Sequence, residues 1–218
     1  MSKTDNAGRE HAFGTRVIHA GQSPDPTTGA LITPIYQTST FVQTSPGQPL
    51  NPDYEYSRAA NPTRTALENA LASIENGTRG LAFSSGLAAT DCVLRSFKAG
   101  DEIIAMDDLY GGTYRMFTRI YKESGIKFHF VDMNDLEKFQ SLINENTKLV
   151  WVETPTNPLM KLADIAAIAQ ITKKHNILFA VDNTFATPYL QRPIDLGADI
   201  VMHSATKYLG GHSDLVAG

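Results

Sequence analysis

From Asn61 onward, short apolar runs alternate with stretches in which apolar residues recur every three or four positions. The runs Gly80–Phe83, Glu102–Ala105, Lys127–Val131, Lys148–Val152, Ile177–Val181 and Asp199–His203 have strand length and predict buried strands. Helical periodicity predicts helices over Gly86–Phe97, Thr113–Glu123, Leu136–Asn144 and Ile165–His175. A further helix is expected to start at Asn61–Pro62, an N-cap residue followed by proline at the first helical position. It carries Ala66, Leu67, Ala70, Leu71 and Ile74 on one face, and Gly77 is expected to end it. Strand–helix alternation of this kind defines an α/β fold class, built of right-handed βαβ units around a mostly parallel sheet with flanking helices. The first sixty residues lack such periodicity and are interrupted by Pro24, Pro26, Pro34, Pro46, Pro49 and Pro52. Residues 1–60 therefore read as an arm, ordered or flexible, with Tyr54, Tyr56 and Arg58 favouring order, and 61–218 as an α/β domain.

Composition narrows the class. A chain of 218 residues makes one or two domains and can bury a sizeable core, and 42% hydrophobic residues suit a globular chain. Lys plus Arg number 19 against 23 Asp plus Glu, which argues against nucleic acid or an anionic membrane held by bulk charge. No apolar run reaches the ~18 residues needed to span a bilayer. Met1 to Glu10 is polar, unlike a signal peptide, so a cytoplasmic protein is expected. The single cysteine, Cys92, excludes an intramolecular disulfide framework, fits a reducing compartment and is expected to be packed on its apolar helix.

In open α/β sheets, ligands bind outside the carboxyl ends of the strands. Those ends here carry Ser84, Ser85 and Gly86; Asp107 to Thr113; Glu153 to Pro158; Asp182, Asn183 and Thr184; and Ser204 to Lys207. Both the dinucleotide fingerprint and the P-loop are missing, which weakens a nucleotide-binding reading. Ser85–Gly86 before a helix still offers backbone N–H groups and a positive dipole end for a phosphate, and Ser204 and Thr206 add hydroxyls. Lys207 can condense with an aldehyde. Asp182 can keep a pyridine nitrogen protonated, and Tyr110 can stack on a ring face. Phosphate cradle, lysine amine and ring-nitrogen acid together point to pyridoxal 5′-phosphate. His203, His212 and Asp214 fit no common ligand spacing, so no metal is expected.

The stretch Ala198 to Asp214, with Ser204-Ala205-Thr206-Lys207 at its centre, resembles the lysine motif of the Cys/Met-metabolism pyridoxal-phosphate enzymes, the trans-sulfuration family. The resemblance extends through Tyr56-Ser57-Arg58, Asn61-Pro62-Thr63-Arg64, Ser85-Gly86-Leu87-Ala88-Ala89, Tyr110-Gly111-Gly112-Thr113, Glu153-Thr154-Pro155-Thr156-Asn157-Pro158 and Val181-Asp182-Asn183-Thr184-Phe185, from about Gly14 to the end. It implies the aspartate-aminotransferase fold (fold type I). It further implies that Lys207 bonds the cofactor aldehyde and later shuttles protons, and that Asp182 pairs with the pyridine nitrogen. Tyr110 would stack on the ring, assist proton transfer and meet substrate. Ser85, Gly86, Leu87, Ser204 and Thr206 would hold the phosphate, Asn157 would tune the ring hydroxyl, and Thr184 would join the cofactor contacts.

By the same resemblance, Tyr56 and Arg58 would reach the phosphate of a neighbouring subunit, which implies a homo-oligomer, a dimer of dimers. Arg58 and Arg115 would also contact a small sulfur amino-acid substrate. Within the family, Tyr110-Gly111-Gly112-Thr113, Lys148 to Pro158 and Gln191-Arg192-Pro193 look nearest to cystathionine γ-lyases, which convert cystathionine to cysteine, 2-oxobutanoate and ammonia. Cystathionine γ-synthase and O-acetylhomoserine sulfhydrylase are the alternatives. Family members are much longer and carry a C-terminal domain, so the chain reads as truncated after the lysine loop. A non-catalytic remnant is thus the reading from another class.

Overall fold

The structure, a computed structural model, describes residues 11–218. Contacts divide the chain into two compact units, one running to Ala82 and the other spanning Phe83–Gly218.

The N-terminal unit contains α1 (Phe13–His19), a short hairpin of β1 (Gln43–Ser45) and β2 (Gln48–Pro49), and α2 (Pro62–Ile74). Helix α2 starts where Asn61 and Pro62 predict, with Asn61 Oδ1 accepting from Thr63 N–H at 2.9 Å. Its end is one residue earlier than expected: Asn76, not Gly77, takes the left-handed conformation, at φ 59°, and Gly77 N–H bonds Ala72 O. Over the described residues from 11 on, the arm is ordered, because the first turn of α2 satisfies its backbone. Asn61 Nδ2 donates to Tyr36 O at 2.9 Å, Thr63 Oγ1 to Pro34 O at 2.9 Å, and Arg64 to Ser57 O and Ala59 O at 2.8 Å. The same arm exposes Leu31, Ile32, Ile35, Val42 and Leu50, with Ile35 at 86%.

The second unit is the α/β core. After α3 (Gly86–Leu94) come β3 (Glu102–Met106), α4 (Gly111–Met116), β4 (Lys127–Val131), α5 (Leu136–Ser141), β5 (Thr147–Glu153), α6 (Ile165–Lys174), β6 (Leu178–Asp182), α7 (Thr187–Leu190) and β7 (Ile200–Met202). The five strands form one parallel sheet in the order β4-β3-β5-β6-β7. The chain runs from β3 outward to β4, then crosses back to β5 on the other side of β3. The reversal point therefore lies between β3 and β5, where open α/β sheets form their ligand crevice. Strands β3 and β5 are buried along nearly their whole length, as a sheet covered on both faces requires. Helix α6 shows the logic of the cover. Asp164 caps it by accepting from Ala167 N–H at 3.0 Å, Ile165, Ile168, Ala169 and Thr172 are buried, and Lys173 and Lys174 close its negative end. The core centres on Trp151, Phe117, Phe139 and Phe179, with the Phe117 ring stacked 4.7 Å from Phe128 and edge-on to Trp151.

Three further expectations are corrected. Gly80–Phe83 is not a strand; only Phe83 pairs, exchanging both backbone hydrogen bonds with Gly218 at 2.8 and 2.9 Å. The helix expected over Thr113–Glu123 is α4 followed by a π-helical segment, Phe117–Tyr121. Cys92 is exposed, because α3 turns its buried face through Gly86, Ala89, Thr90 and Leu94 instead.

Candidate active site

Four of the sheet's carboxyl ends deliver polar residues to one place. A cavity of about 470 Å³ is lined by Ser85, Gly86, Leu87, Tyr110, Glu153, Asn157, Asp182, Thr184, Ser204, Thr206 and Lys207, together with Thr90, Thr113, Pro155, Phe185, Met202 and Val216. Lys207, Asp182, Tyr110 and the α3 N-terminus, distant in sequence, thus line one cavity. That volume is in the range of small-molecule and cofactor sites.

Each group is fixed by its element. Ser85 caps α3, its Oγ accepting from Ala88 N–H at 3.1 Å, which aims the first turn of the helix at the cavity. Asp182 ends β6, almost wholly buried. Its Oδ1 accepts both Thr184 Oγ1–H at 2.5 Å and Thr184 N–H at 3.0 Å. Thr184 Oγ1 in turn accepts Ser204 N–H at 2.9 Å, so the acid, the threonine and the loop after β7 form one chain of bonds. Burial pushes the Asp182 carboxyl above the ordinary range, against the opposing pull of Thr184 and His203. Both threonine bonds land on Oδ1, which leaves Oδ2 to take a donor from within the cavity. A carboxylate so placed wants a cationic N–H opposite, which a protonated pyridine supplies. The donor set therefore fits pyridoxal phosphate.

Lys207 lies in a tight turn, its N–H bonded to Ser204 O at 3.1 Å and its carbonyl accepting Gly211 N–H at 2.8 Å. Tyr110, 45% exposed, precedes α4, and its ring packs over Gly112. Thr206 lines the cavity with its hydroxyl already engaged, donating to Ala217 O at 3.2 Å and accepting Ala217 N–H at 3.1 Å. Arg115 is not among the lining residues; its guanidinium lies along the first turn of α4, beside Gly111. Tyr56 and Arg58 belong to the N-terminal unit, with the Arg58 guanidinium 4.9 Å from the Tyr56 ring centre. Among the described residues, no group of three or more His, Cys, Asp or Glu could hold a metal.

The residue that sequence reasoning passes over is Glu153. It appears at a strand end with no role assigned, yet it lines the cavity as the β5 register partner of Asp182. Burial, and secondarily the Asp182 charge, push it up to about 8.

A parallel α/β sheet carrying a lysine, an aspartate and a capped helix end at its carboxyl edge is the framework of a pyridoxal-phosphate enzyme. The chain belongs to the family described as Cys/Met metabolism PLP-dependent enzyme, whose sequence model matches residues 14–218. Among curated relatives, the probable cystathionine gamma-synthase of Herpetosiphon aurantiacus is 56% identical over 209 residues, covering 96% of this chain and 65% of that protein. The cystathionine beta-lyase of Lactococcus lactis subsp. cremoris is 58% identical over 204 residues, covering 94% and 53%. Among solved structures, cystathionine gamma-lyase from Lactobacillus plantarum complexed with L-serine superposes with a TM-score of 0.91 at 51% identity, covering 95% of this chain and 54% of that one. The chain spans between half and two thirds of the length of these proteins. No helix among the described residues is long and apolar enough to cross a membrane.

Proposed function

We propose that this chain forms the cofactor half of a trans-sulfuration enzyme that breaks the γ-carbon–sulfur bond of cystathionine, releasing cysteine, 2-oxobutanoate and ammonia. The observation that carries this reading is the meeting of Lys207, Asp182, Tyr110 and the α3 N-terminus around one cavity. When bound, pyridoxal phosphate supplies a protonated ring that draws off the electron pair left on Cα after proton loss. Asp182 would hold the ring nitrogen in its protonated form. The N–H groups of Gly86 and Leu87, with the hydroxyls of Ser85 and Ser204, would take the phosphate, and Thr206 would join them by turning its proton from Ala217 O to a phosphate oxygen. Asn157 would meet the ring hydroxyl, and Thr184 holds Asp182 in place. Lys207 is the residue that would hold the cofactor, through its aldehyde. As a free amine, Lys207 Nζ would move a proton between Cα and Cβ of the substrate. Tyr110 would cover the ring face and assist that transfer.

Arg115 and Arg58 are proposed to recognise substrate, Arg58 and Tyr56 from a neighbouring copy across the 1–60 arm. The apolar side chains exposed along that arm, Leu31, Ile32, Ile35, Val42 and Leu50, support a homo-oligomer in which a second copy covers them.

The test is product analysis of the protein loaded with pyridoxal phosphate and given cystathionine. Cysteine with 2-oxobutanoate supports γ-elimination. Homocysteine with pyruvate would replace it by β-elimination, and formation of cystathionine from an O-acyl homoserine and cysteine would replace it by γ-replacement.

A further inference from the structure

Glu153 is the second buried acid of the cavity wall, and the chemistry above uses none of its atoms. Its carboxylate ends β5 at 5% exposure, beside Asp182 in the β5–β6 register. The two oxygens take separate partners: Oε2 accepts Tyr110 N–H and Oε1 accepts Asn157 N–H, each at 2.8 Å. Tyr110 follows β3 and Asn157 follows β5, the two strands between which the sheet order reverses. One carboxylate therefore ties together both lips of the crevice, and with them the residue for the ring face and the residue for the ring hydroxyl.

Why an acid stands here follows from the acceptor count. Burying a carboxyl beside another carboxyl is costly. A glutamine of the same shape avoids that cost but offers one oxygen and one NH2, and the NH2 would confront a backbone N–H. An ionised carboxylate accepts at both ends with no proton to place, and accepts most strongly there. We propose that Glu153 is a positioning residue, which sets Tyr110 and Asn157 at a fixed separation for cofactor capture by accepting one backbone N–H from each lip of the crevice. The inference rests on the proposed function, since it deepens the role of the same cavity.

The titratable groups around Glu153 are Asp182 at the end of β6, which His203 in turn faces, and Asp108 after β3, with Tyr110 and Lys207 on the same cavity wall. Both neighbouring acids oppose its ionisation. Its carboxyl is pushed up to about 8, so as pH rises past that value both oxygens accept as a carboxylate and hold the two N–H groups more strongly.

The experiment compares wild type with Glu153→Gln. The dissociation constant for pyridoxal phosphate is measured from about pH 6.5 to 9.5, and amide hydrogen exchange at Tyr110 and Asn157 is followed without cofactor. The expected result is a mutant-to-wild-type ratio that is smallest at low pH and widens by about tenfold as pH rises past 8, the size of one lost charge-assisted hydrogen bond. Faster exchange is expected at one or both of those amides, with Val150 unchanged. A ratio that stays flat, or unaltered exchange at both amides, overturns the proposal. If the variant does not fold, the unchanged chain suffices: protection at Tyr110 and Asn157 relative to Val150 must rise through pH 8, and constant protection overturns the proposal. If neither protein binds pyridoxal phosphate, the proposed function fails, while the exchange data still decide whether Glu153 holds the two lips.

Discussion

Gly86 and Ser204 touch backbone to backbone: a Cβ added to Gly86 would lie 2.9 Å from Ser204 Cα and 2.8 Å from Ser204 Cβ. The helix end that faces the phosphate position and the loop that leads to Lys207 are thus held at a spacing only glycine permits. Gly86→Ala must push α3 away from that loop, because the obstructing atoms are main chain and its Cβ and cannot swivel aside. Overpacking of this kind costs about 1–3 kcal/mol. A lowered melting temperature and at least about tenfold weaker binding of pyridoxal phosphate are expected. Wild-type affinity in this variant would show that the contact does not set the site.

At Gly112 the added Cβ would instead meet a movable group, lying 2.4 Å from Tyr110 Cε1. The Tyr110 ring can rotate away, so Gly112→Ala should retain more of the fold's stability than Gly86→Ala while altering the visible circular dichroism of the bound cofactor, which reports the ring's surroundings. A melting temperature lower than that of Gly86→Ala, with an unchanged cofactor spectrum, would contradict this.

Local signals were sufficient for the parts of the molecule that local chemistry decides. Lys127–Val131 is predicted to the residue, and Asn61–Pro62 marks the first turn of α2, because a short apolar run and an N-cap each act within a few residues. Lys207 and Asp182 are likewise legible as strand-end residues. The failures have the opposite character. Gly80–Phe83 has strand composition, but Phe83 finds only Gly218 to pair with, 135 positions away along the chain. Cys92 lies on an apolar stretch, yet the face that α3 buries depends on which surface the rest of the chain presents. Glu153 acquires its role from the β5–β6 register and from Tyr110, 43 residues earlier, a relation no window along the chain contains.

The opposite edge of the sheet predicts an acid-dependent loss of stability. Glu102 accepts Asn144 Nδ2–H at 2.9 Å, lies 2.6 Å from His129 Nε2 and pairs with Lys127 at 3.2 Å. These partners, the Asn144 bond foremost, hold its carboxyl down at about 2 against an ordinary 4.5. A depressed folded pKa gives stability that is present above the unfolded value and lost as pH falls from about 4.5 toward 2. Denaturation followed by circular dichroism should show this slope in wild type and a shallower one in Glu102→Gln. Parallel slopes would remove Glu102 from the explanation.

Glu153 has the reverse sign. Its folded pKa is raised to about 8, so its contribution is full below about 4.5 and declines as pH climbs toward 8. Urea midpoints measured without cofactor should fall across that window in wild type and fall less in Glu153→Gln. A wild-type midpoint that rises with pH while the variant's does not would reverse the assignment.

The most direct measurement joins the lysine to the cofactor. The protein is incubated with pyridoxal phosphate, the carbon–nitrogen double bond is reduced with borohydride, and the proteolytic peptides are mapped by mass spectrometry beside a Lys207→Ala control. The predicted result is one stoichiometric adduct on the peptide carrying Lys207, with no visible cofactor band in the control. An adduct spread over other lysines, or a control that keeps the band, would contradict it.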